Sequence, residues 1–393
     1  MPYYPASPGL YPPDNSVTDA KLADMPEATV KGRVLGAGTG DPTNLTGAQV
    51  AALLPAGSIN AIAPLSYRNI LGRNGGFEVW QRGAGGSAAI AYAIGEQKYG
   101  PDGWYFYSGS QAMTLWQPTG LSAQSRYSCA VHRNNGQTGA ALYQLEFPLD
   151  SDEIVPMRSV IVTLSFIASA GANFSAVGQL INVVFVVGTG ALPGRFTGGG
   201  ITGFTKLIDT SQALTPAPTR YTFTTSVIVP ANTTQASVVF NATPTGTAGV
   251  SDLFVIDDVQ LEIGSVATPF ERRPFESELA ACQRHYEKTF DYGRAPAQAT
   301  VDYKGALATH HAATGTTGAD VCWRYATRKR VAPTITTFNP SQANANFRNL
   351  ANTTDFAANL LVAVGEMGVT FTTGGVVPNN DAGIIHMTAD AGI

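Results

Sequence analysis

The carboxylates of Asp257, Asp258 and Glu262 come closest to a pattern that supports acid–base chemistry. Cleavage of a glycosidic bond needs two carboxyl groups in one groove, one protonated and one ionised. All three residues lie in the segment LFVIDDVQLEI, which resembles a β-strand, so Asp257 and Asp258 are predicted to point to opposite faces of a sheet. Asp258 and Glu262 share a face and are therefore the candidate catalytic pair, with a structural role as the alternative.

Two groups of residues are candidates for metal binding or nucleophilic catalysis. His310 and His311 have no further ligand at zinc spacing before Asp320, which argues against a metal site. Cys129 and His132 are three residues apart in a predicted strand, so their side chains should face opposite ways. No serine lies in a nucleophile-elbow pattern. We therefore expect no metal, no cofactor and no nucleophilic catalysis.

The composition excludes several classes of partner. Charged residues make up 13% of the 393 residues, and the formal net charge is −4. Such a chain lacks the broad basic surface that a phosphate backbone requires, so nucleic acid is not an expected partner. The longest apolar run, residues 159–170, is shorter than the roughly 20 residues that cross a bilayer. Residues 1–10 lack the pattern of a secretory signal, and we expect no membrane insertion.

The cysteines and the one dense basic run have ordinary interpretations. Cys129, Cys282 and Cys322 are odd in number and widely spaced, which fits neither a disulfide framework nor a zinc site. We expect three buried, reduced thiols. The basic run TRKR, residues 327–330, precedes a strand-like segment. It is interpreted as a solvated strand end or turn, with contact to an acidic glycan or a neighbouring subunit as the alternative.

Residues 69–275 carry short runs of β-branched and aromatic residues between clusters of Gly, Pro, Asn and Thr. These runs predict strands at residues 114–116, 141–147, 159–168, 182–187, 220–229, 236–242 and 253–263. No helix of useful length lies between them, which excludes a parallel sheet with crossover helices. The predicted fold is therefore mainly β, an antiparallel jelly-roll sandwich.

A helix and a second β-rich region follow. Leu279, Cys282, Tyr286 and Phe290 at helical spacing predict a helix over about residues 276–290. Strand-like segments recur at residues 301–307, 320–330, 333–340, 360–373 and 383–393. We therefore expect an N-terminal arm and collar (1–68), the sandwich (69–275), a helical linker (276–298) and a smaller C-terminal β-domain (299–393).

The N-terminal region is predicted to serve attachment and assembly. Residues 1–16 interleave prolines with tyrosines and should be extended. Tyr3, Tyr4 and Tyr11 are predicted to dock onto another protein, with a disordered tail as the alternative. A Gly-rich loop without P-loop spacing then leads into a two-turn helix, which Thr46 caps together with Gln49. So short a helix must pack on something, and copies of itself around a symmetry axis would serve. The predicted contacts are Val50, Leu53 and Leu54.

Several segments resemble phage fibre proteins. NGGFEVWQRG (74–83) followed by YGPDGWYF (99–106) resembles the opening of the carbohydrate-binding-module-like jelly roll found in many phage tail fibres. The segment DDVQLEIGSVATPFERRPFESELAACQRHYEK (257–288) is similar to the closing strand and exit helix of that domain. HMTADAGI (386–393) resembles the last strand of the small β-domain that often follows, and LTGAQVAALL (45–54) resembles fibre attachment regions. Between residues 108 and 249 no family motif matches.

The resemblance implies a structural, homotrimeric fibre subunit of a bacteriophage virion, assembled in the host cytoplasm. Its N-terminus would attach to other virion proteins of the tail, baseplate or capsid, and its sandwich would recognise a host cell-surface polysaccharide. It places Asp258 and Glu262 on a closing strand, where carboxylates are ordinarily solvated or bonded to turns. We therefore expect no catalytic residues and no enzyme. The alternatives are a polysaccharide-degrading tailspike and a decorative capsid fibre without receptor binding.

The segment GWYFYSGSQAMTLWQ (103–117) predicts a hairpin that carries the receptor surface. Alternation places four side chains in the sandwich core: Trp104, Phe106, Met113 and Leu115. Tyr105, Tyr107 and Trp116 then lie on the other face, with Trp116 within reach of Tyr105 if the turn is SGSQ. Flat aromatic faces can stack on the apolar side of a sugar ring, so these three residues are the predicted glycan-binding site. The alternative is that a neighbouring strand or protomer covers them.

Overall fold

The computed structural model describes residues 30–32, 43–46, 49–50, 68–83, 89–192, 194–310, 320–351, 355, 357–374 and 382–392. The chain divides into two compact units, Met1–Ser66 and Tyr67–Ile393. In the first unit, β1 (Val30–Gly32) pairs antiparallel with β2 (Thr43–Leu45). The predicted helix cap is confirmed, since the Thr46 N–H donates to Gln49 Oε1 at 2.8 Å and the Gln49 N–H donates to Thr46 Oγ1 at 3.3 Å.

The second unit opens with a mainly β, antiparallel jelly-roll sandwich, as predicted. Its strands are β3 (Ile90–Tyr92), β4 (Gln97–Tyr99), β5 (Tyr105–Tyr107), β6 (Met113–Trp116), β7 (Cys129–Arg133), β8 (Tyr143–Pro148), β9 (Val162–Ala170), β10 (Leu180–Gly188), β11 (Thr205–Ala213), β12 (Thr219–Thr224), β13 (Gln235–Ala242) and β14 (Leu253–Ile263). A four-residue helix, α1 (Ser151–Ile154), follows β8, and short 3-10 turns lie at Val155–Met157, Val177–Gln179 and Thr197–Gly199.

These strands form two six-stranded sheets. Sheet A has the order β11-β10-β13-β8-β5-β4, and sheet B has the order β12-β9-β14-β7-β6-β3. Apolar side chains at alternate positions fill the space between the sheets, as a period-two pattern requires. The four predicted core residues are confirmed there, because Trp104, Phe106, Met113 and Leu115 are fully buried.

The remaining elements form a smaller β-rich region. They are α2 (Phe275–Gln283), β15 (Tyr286–Lys288), β16 (Leu307–His310), β17 (Asp320–Arg324), β18 (Thr334–Phe338), β19 (Arg348–Asn349), β20 (Ala357–Val364), β21 (Gly368–Gly374) and β22 (Ala382–Asp390). β22 is central and pairs with β15, β16, β18 and β19, while β17, β21 and β20 form a three-stranded sheet. This region has its own apolar core around Trp323, Phe347, Phe371 and Met387, separate from that of the sandwich. The predicted domain limits stay a prediction.

The predicted helix over residues 276–290 is too long. α2 ends at Gln283, and Tyr286–Lys288 instead form strand β15 against β22. A spacing of four residues fits a helical face and also a period of two, so the apolar pattern alone did not separate the two structures. Residues 286–288 form a strand because they pair with the long central strand β22.

The expectation of three buried thiols is wrong for one of them. Cys129 and Cys282 are buried, but Cys322 is exposed. Val321 and Trp323 point into the C-terminal core, so alternation along β17 sends the intervening Cys322 outward. Among the described residues, no helix is long and apolar enough to cross a bilayer.

Candidate glycan-binding cleft

The outer face of sheet B has an unusual polar composition, and a β-bulge in β14 contributes to it. The pairing of β14 with β9 shifts register between Asp257 and Gln260, and Asp258 has a positive φ of 49°. Ile256 and Val259 both point into the core. The extra residue therefore leaves Asp257 and Asp258 on the same outer face.

The prediction that Asp257 and Asp258 face opposite ways is therefore wrong. Both carboxylates reach the segment 118–127, which lies over the outer face of sheet B. Asp257 accepts the Leu121 N–H at 2.8 Å and the Asp258 N–H at 2.7 Å, while Asp258 accepts from Ser122 Oγ at 3.3 Å. Burial, and after it the negative charge of Asp258, raises the pKa of the Asp257 carboxyl to about 7.

A second segment, residues 264–273, covers the same face from the other side. Glu262 accepts the Thr268 N–H at 2.8 Å and Thr268 Oγ1 at 2.6 Å. Gln260 Oε1 accepts the Glu271 N–H at 2.8 Å. The buried polar residues of β14 thus hold both covering segments, and each carboxylate among them has hydrogen-bond partners.

Between these two segments lies a cleft of about 510 Å³. It is lined by Ser122, Gln124, Ile167, Arg220, Asp258, Pro269, Phe270 and Arg272. Its volume falls in the range of about 300–1,000 Å³ that is usual for small-molecule sites. Its lining combines one aromatic ring with several fixed hydrogen-bonding groups, which is the combination that a sugar needs.

One end of the cleft is closed by a bridge of polar groups. Arg272 Nη2 donates to the two carboxylate oxygens of Asp258 at 2.7 and 2.8 Å and to Ser122 Oγ at 3.3 Å. This bridge ties the two covering segments together over the bulge. Because Arg272 is only partly exposed, a charge-assisted contact of this kind fixes the geometry of the wall.

Arg220 contributes the other cation of the cleft. It lies on β12 opposite Ile167 of β9. Its Nη2 donates to Ser165 Oγ at 2.9 Å and to the carbonyl oxygen of Thr268. The guanidinium is therefore positioned by both the sheet and the covering segment.

Phe270 supplies the aromatic surface, and two glycines make room for it. A Cβ atom at Gly75 or Gly76 would lie 3.2 or 3.4 Å from the Phe270 ring. The Gly-Gly pair of the NGGFEVWQRG segment thus lets the ring rest on bare backbone, with the Arg272 guanidinium 5.1 Å from its centroid. The two segments that resemble the ends of the fibre sandwich are therefore in contact, and the Val259 N–H donates to the Gly75 carbonyl at 2.9 Å.

The predicted hairpin at residues 103–117 is wrong. β5 belongs to sheet A and β6 to sheet B, so Tyr105 and Tyr107 lie on one outer surface of the sandwich and Trp116 on the opposite one. The intervening residues cross between the sheets: the Ser108 N–H donates to Glu96 O, whereas Ala112 O accepts from the Asn134 N–H. No platform joining Tyr105 to Trp116 exists.

The three aromatic residues are also covered to different degrees. Tyr105 is 6% exposed, with the Arg195 guanidinium 4.1 Å from its ring centroid and the Tyr99 ring 5.0 Å away. Trp116 is half-buried and contacts His132 edge-on at 5.0 Å. The alternative interpretation therefore holds for Tyr105, because Arg195 and Tyr99 of the same chain cover its ring. A glycan-binding role for Tyr107 or Trp116 stays a prediction.

Other predicted residues have varied outcomes. Tyr3, Tyr4, Tyr11, Leu53 and Leu54 lie outside the described residues, and Val50 is half-buried in the first unit. Attachment and trimer contacts therefore stay predictions. Cys129 points into the core and His132 outward, as expected for two residues three apart on a strand. The side chains of His310 and His311 also lie outside the described part of the chain. Within that part, no cluster of three or more potential metal ligands occurs.

The basic run at residues 327–330 follows β17 in a bend with Arg328 exposed, as predicted for a solvated strand end or turn, and Lys329 is the exception. Lys329 is buried, and its Nζ bonds to the buried Glu287. Arg328 Nε donates to Glu366 at 2.7 Å, and Arg330 donates to the carbonyl oxygens of Ala391 and Gly392. A buried carboxylate needs a counter-charge, which Lys329 supplies to Glu287.

Comparison with known proteins finds similarity to solved structures alone. No protein-family model and no curated protein matches the chain. The enzymatically active domain of bacteriophage CBA120 tailspike protein 4 matches at 11% identity and a TM-score of 0.30, over 50% of this chain and 22% of that one. A CBM4 structure matches at 16% identity and a TM-score of 0.28, over 49% and 98%. TmCBM61 in complex with β-1,4-galactotriose matches at 13% identity and a TM-score of 0.27, over 50% and 100%.

Sequence reasoning missed Arg220, Phe270 and Arg272. One available signal was the pattern Ile256-Asp-Asp-Val259, in which two polar residues separate apolar residues of one strand. In a regular strand one outward-facing residue separates two core residues, so two polar residues between core positions indicate a bulge. The remaining lining residues come from distant segments, and no spacing in the sequence connects them.

Proposed function

We propose that this chain is a non-enzymatic fibre subunit of a bacteriophage virion that binds a host-surface glycan in the cleft on sheet B. The observation that carries the proposal is the cleft itself: the Phe270 ring beside fixed polar groups, Arg220, Ser122 and the Asp258–Arg272 pair. An aromatic ring offers its face to the apolar side of a sugar, and planar charged groups bind its hydroxyls. The resemblance of the segments at both ends of the sandwich to fibre proteins supports the virion role.

The binding test uses an array of purified bacterial surface polysaccharides. We expect the full-length protein to be retained by at least one polysaccharide and Phe270→Ala to reduce that retention at least tenfold. Phe204→Ala is the matched control, since Phe204 is 53% exposed and lies outside the cleft. Retention that survives Phe270→Ala in a folded protein would contradict the cleft as the site.

The trimer and attachment roles form the second part of the proposal. The two-turn helix that the sequence predicts after the Thr46 cap would be too short to be stable by itself, so association of copies through Val50, Leu53 and Leu54 would stabilise it. The native mass of the full chain tests this directly. A monomer at micromolar concentration would contradict the trimer and leave glycan binding untouched.

A polysaccharide-degrading enzyme is the second candidate, and the Asp257–Asp258 pair is the observation that favours it. One carboxyl has a raised pKa and its neighbour is paired with Arg272, which resembles an acid and an ionised base. Binding without cleavage is preferred because Asp257 does not line the cleft and backbone N–H groups occupy both its oxygens. Shortened chains after incubation of a bound polysaccharide, lost in Asp257→Asn, would favour the enzyme.

A further inference from the structure

The charged groups lining the cleft do not balance. Asp258 is neutralised by Arg272, which contacts both of its oxygens. Arg220 forms no ion pair with any described residue, and the residues that line the cleft carry one more positive than negative charge. Glu262 lies under the same covering segment, but its oxygens accept hydrogen bonds from Thr268 and Gln260.

The free charge is also pre-organised to bind an anion. Nη2 of Arg220 is held by Ser165 Oγ and the Thr268 carbonyl, while Nε and Nη1 form no hydrogen bond with a described residue. Nε and Nη1 point to different sides of the guanidinium, and each retains N–H groups that can donate a charge-assisted hydrogen bond to a ligand oxygen. Because its position is already fixed, binding costs little side-chain entropy.

The aromatic ring and the free guanidinium line one continuous space. Phe270 and Arg220 belong to the same cleft, with Ile167 among its lining residues. A sugar ring stacked on Phe270 would leave its substituents near the charged groups. An acidic sugar satisfies both features at once, whereas a neutral sugar leaves the charge of Arg220 without a partner.

We propose that the cleft selects acidic polysaccharides, with Arg220 binding the carboxylate of a uronic or similar acidic sugar whose ring stacks on Phe270. This inference rests on the proposed glycan-binding function and adds the chemical class of the ligand. Loss of the Arg220 contact should weaken binding about tenfold, as expected for a hydrogen bond to a charged group.

The test uses polysaccharides printed in their native form and after chemical reduction of their carboxyl groups. We expect the native protein to bind the acidic form at least tenfold more tightly than the reduced form at physiological salt. Arg220→Gln should abolish that preference and keep the weaker binding to the reduced form. Arg126→Gln, which removes the same charge from an exposed residue outside the cleft lining, should keep the preference.

The outcomes separate this inference from the proposed function. Equal binding of native and reduced polysaccharides that is lost in Phe270→Ala overturns the acidic preference and leaves glycan binding in place. A preference that survives in Arg220→Gln overturns the role of Arg220. Absence of binding to every polysaccharide overturns both proposals.

Discussion

Replacing Gly75 by alanine tests how the two ends of the sandwich are joined. The Gly75 carbonyl accepts the Val259 N–H at 2.9 Å, just beyond the bulge that carries the two aspartates. A Cβ at position 75 would lie closer than 3.0 Å to the Val259 carbonyl oxygen and 2.9 Å from Asn69 Nδ2. The Asn69 amide cannot swing away freely, because it donates to the same carbonyl at 3.0 Å.

The expected cost combines three effects. Forcing a methyl group into a packed site costs about 1–3 kcal/mol. Lengthening the Gly75–Val259 hydrogen bond costs about 0.5–1.5 kcal/mol. Alanine also lowers the conformational entropy of the unfolded chain, which stabilises the folded protein by about 0.4–1 kcal/mol. The free energy of unfolding should therefore fall by about 2 kcal/mol.

Gly76→Ala is the matched control. Its Cβ would lie 3.4 and 3.5 Å from atoms of the Phe270 ring, which is ordinary van der Waals contact, and neither glycine has a positive φ. The entropic effect on the unfolded chain is the same, so this variant should be as stable as the parent or slightly more stable. Denaturant unfolding followed by the fluorescence of the buried Trp80 and Trp104 measures both variants. Equal midpoints at equal slopes for the two variants would refute the argument.

Three further outcomes follow from buried groups. The folded-state pKa of Asp257 is raised from 3.8 to about 7, so its stabilising contribution is fully present below pH 3.8 and is lost as the pH rises toward 7. The free energy of unfolding of Asp257→Asn should therefore rise relative to that of the parent between these pH values, as measured by denaturant unfolding at several pH values. A thiol reagent should modify Cys322 in the native protein and the other two cysteines only after unfolding, and three fast-reacting thiols would contradict the burial pattern. Asp252→Asn leaves the buried Arg133 charge without its carboxylate and should cost about 3–5 kcal/mol in thermal or chemical unfolding. The exposed control Asp209→Asn should cost about 0–1 kcal/mol.

The sequence predicted the sandwich because its strands obey a local rule. Alternation placed Trp104, Phe106, Met113 and Leu115 in the core without any knowledge of strand partners, since a residue's face depends on its neighbours in the chain. The same rule carried no information on which strands pair. Alternation predicts a turn at SGSQ, residues 108–111, whereas the chain passes there from sheet A to sheet B. The predicted aromatic platform depended on pairing between β5 and β6, so that prediction failed together with the predicted turn.

The candidate cleft could not be predicted from the sequence, for a related reason. Ser122, Ile167, Arg220, Asp258 and Phe270 come from widely separated segments, and they meet because sheet B places β12, β9 and β14 side by side. A single bulged residue also reversed the predicted direction of Asp258 relative to Asp257. Local patterns predict which residues are buried, whereas sites of this kind depend on long-range pairing and on its irregularities.

Arg82 lies where the sandwich region meets the C-terminal strands. Its guanidinium lies 3.8 Å from the Tyr286 ring centroid and 4.7 Å from that of Tyr99, with Asp390 at 2.9 Å and Asp102 at 3.8 Å. Tyr99 and Asp102 belong to the sandwich region, whereas Tyr286 and Asp390 lie on β15 and β22 of the C-terminal sheet. Arg82 itself belongs to the sandwich region, so separation of the two regions would take away Asp390 and Tyr286 and leave it with Asp102 and Tyr99. An ion pair and a cation–π contact of Arg82 therefore join the sandwich region to the C-terminal strands, and Arg82→Gln should weaken that junction.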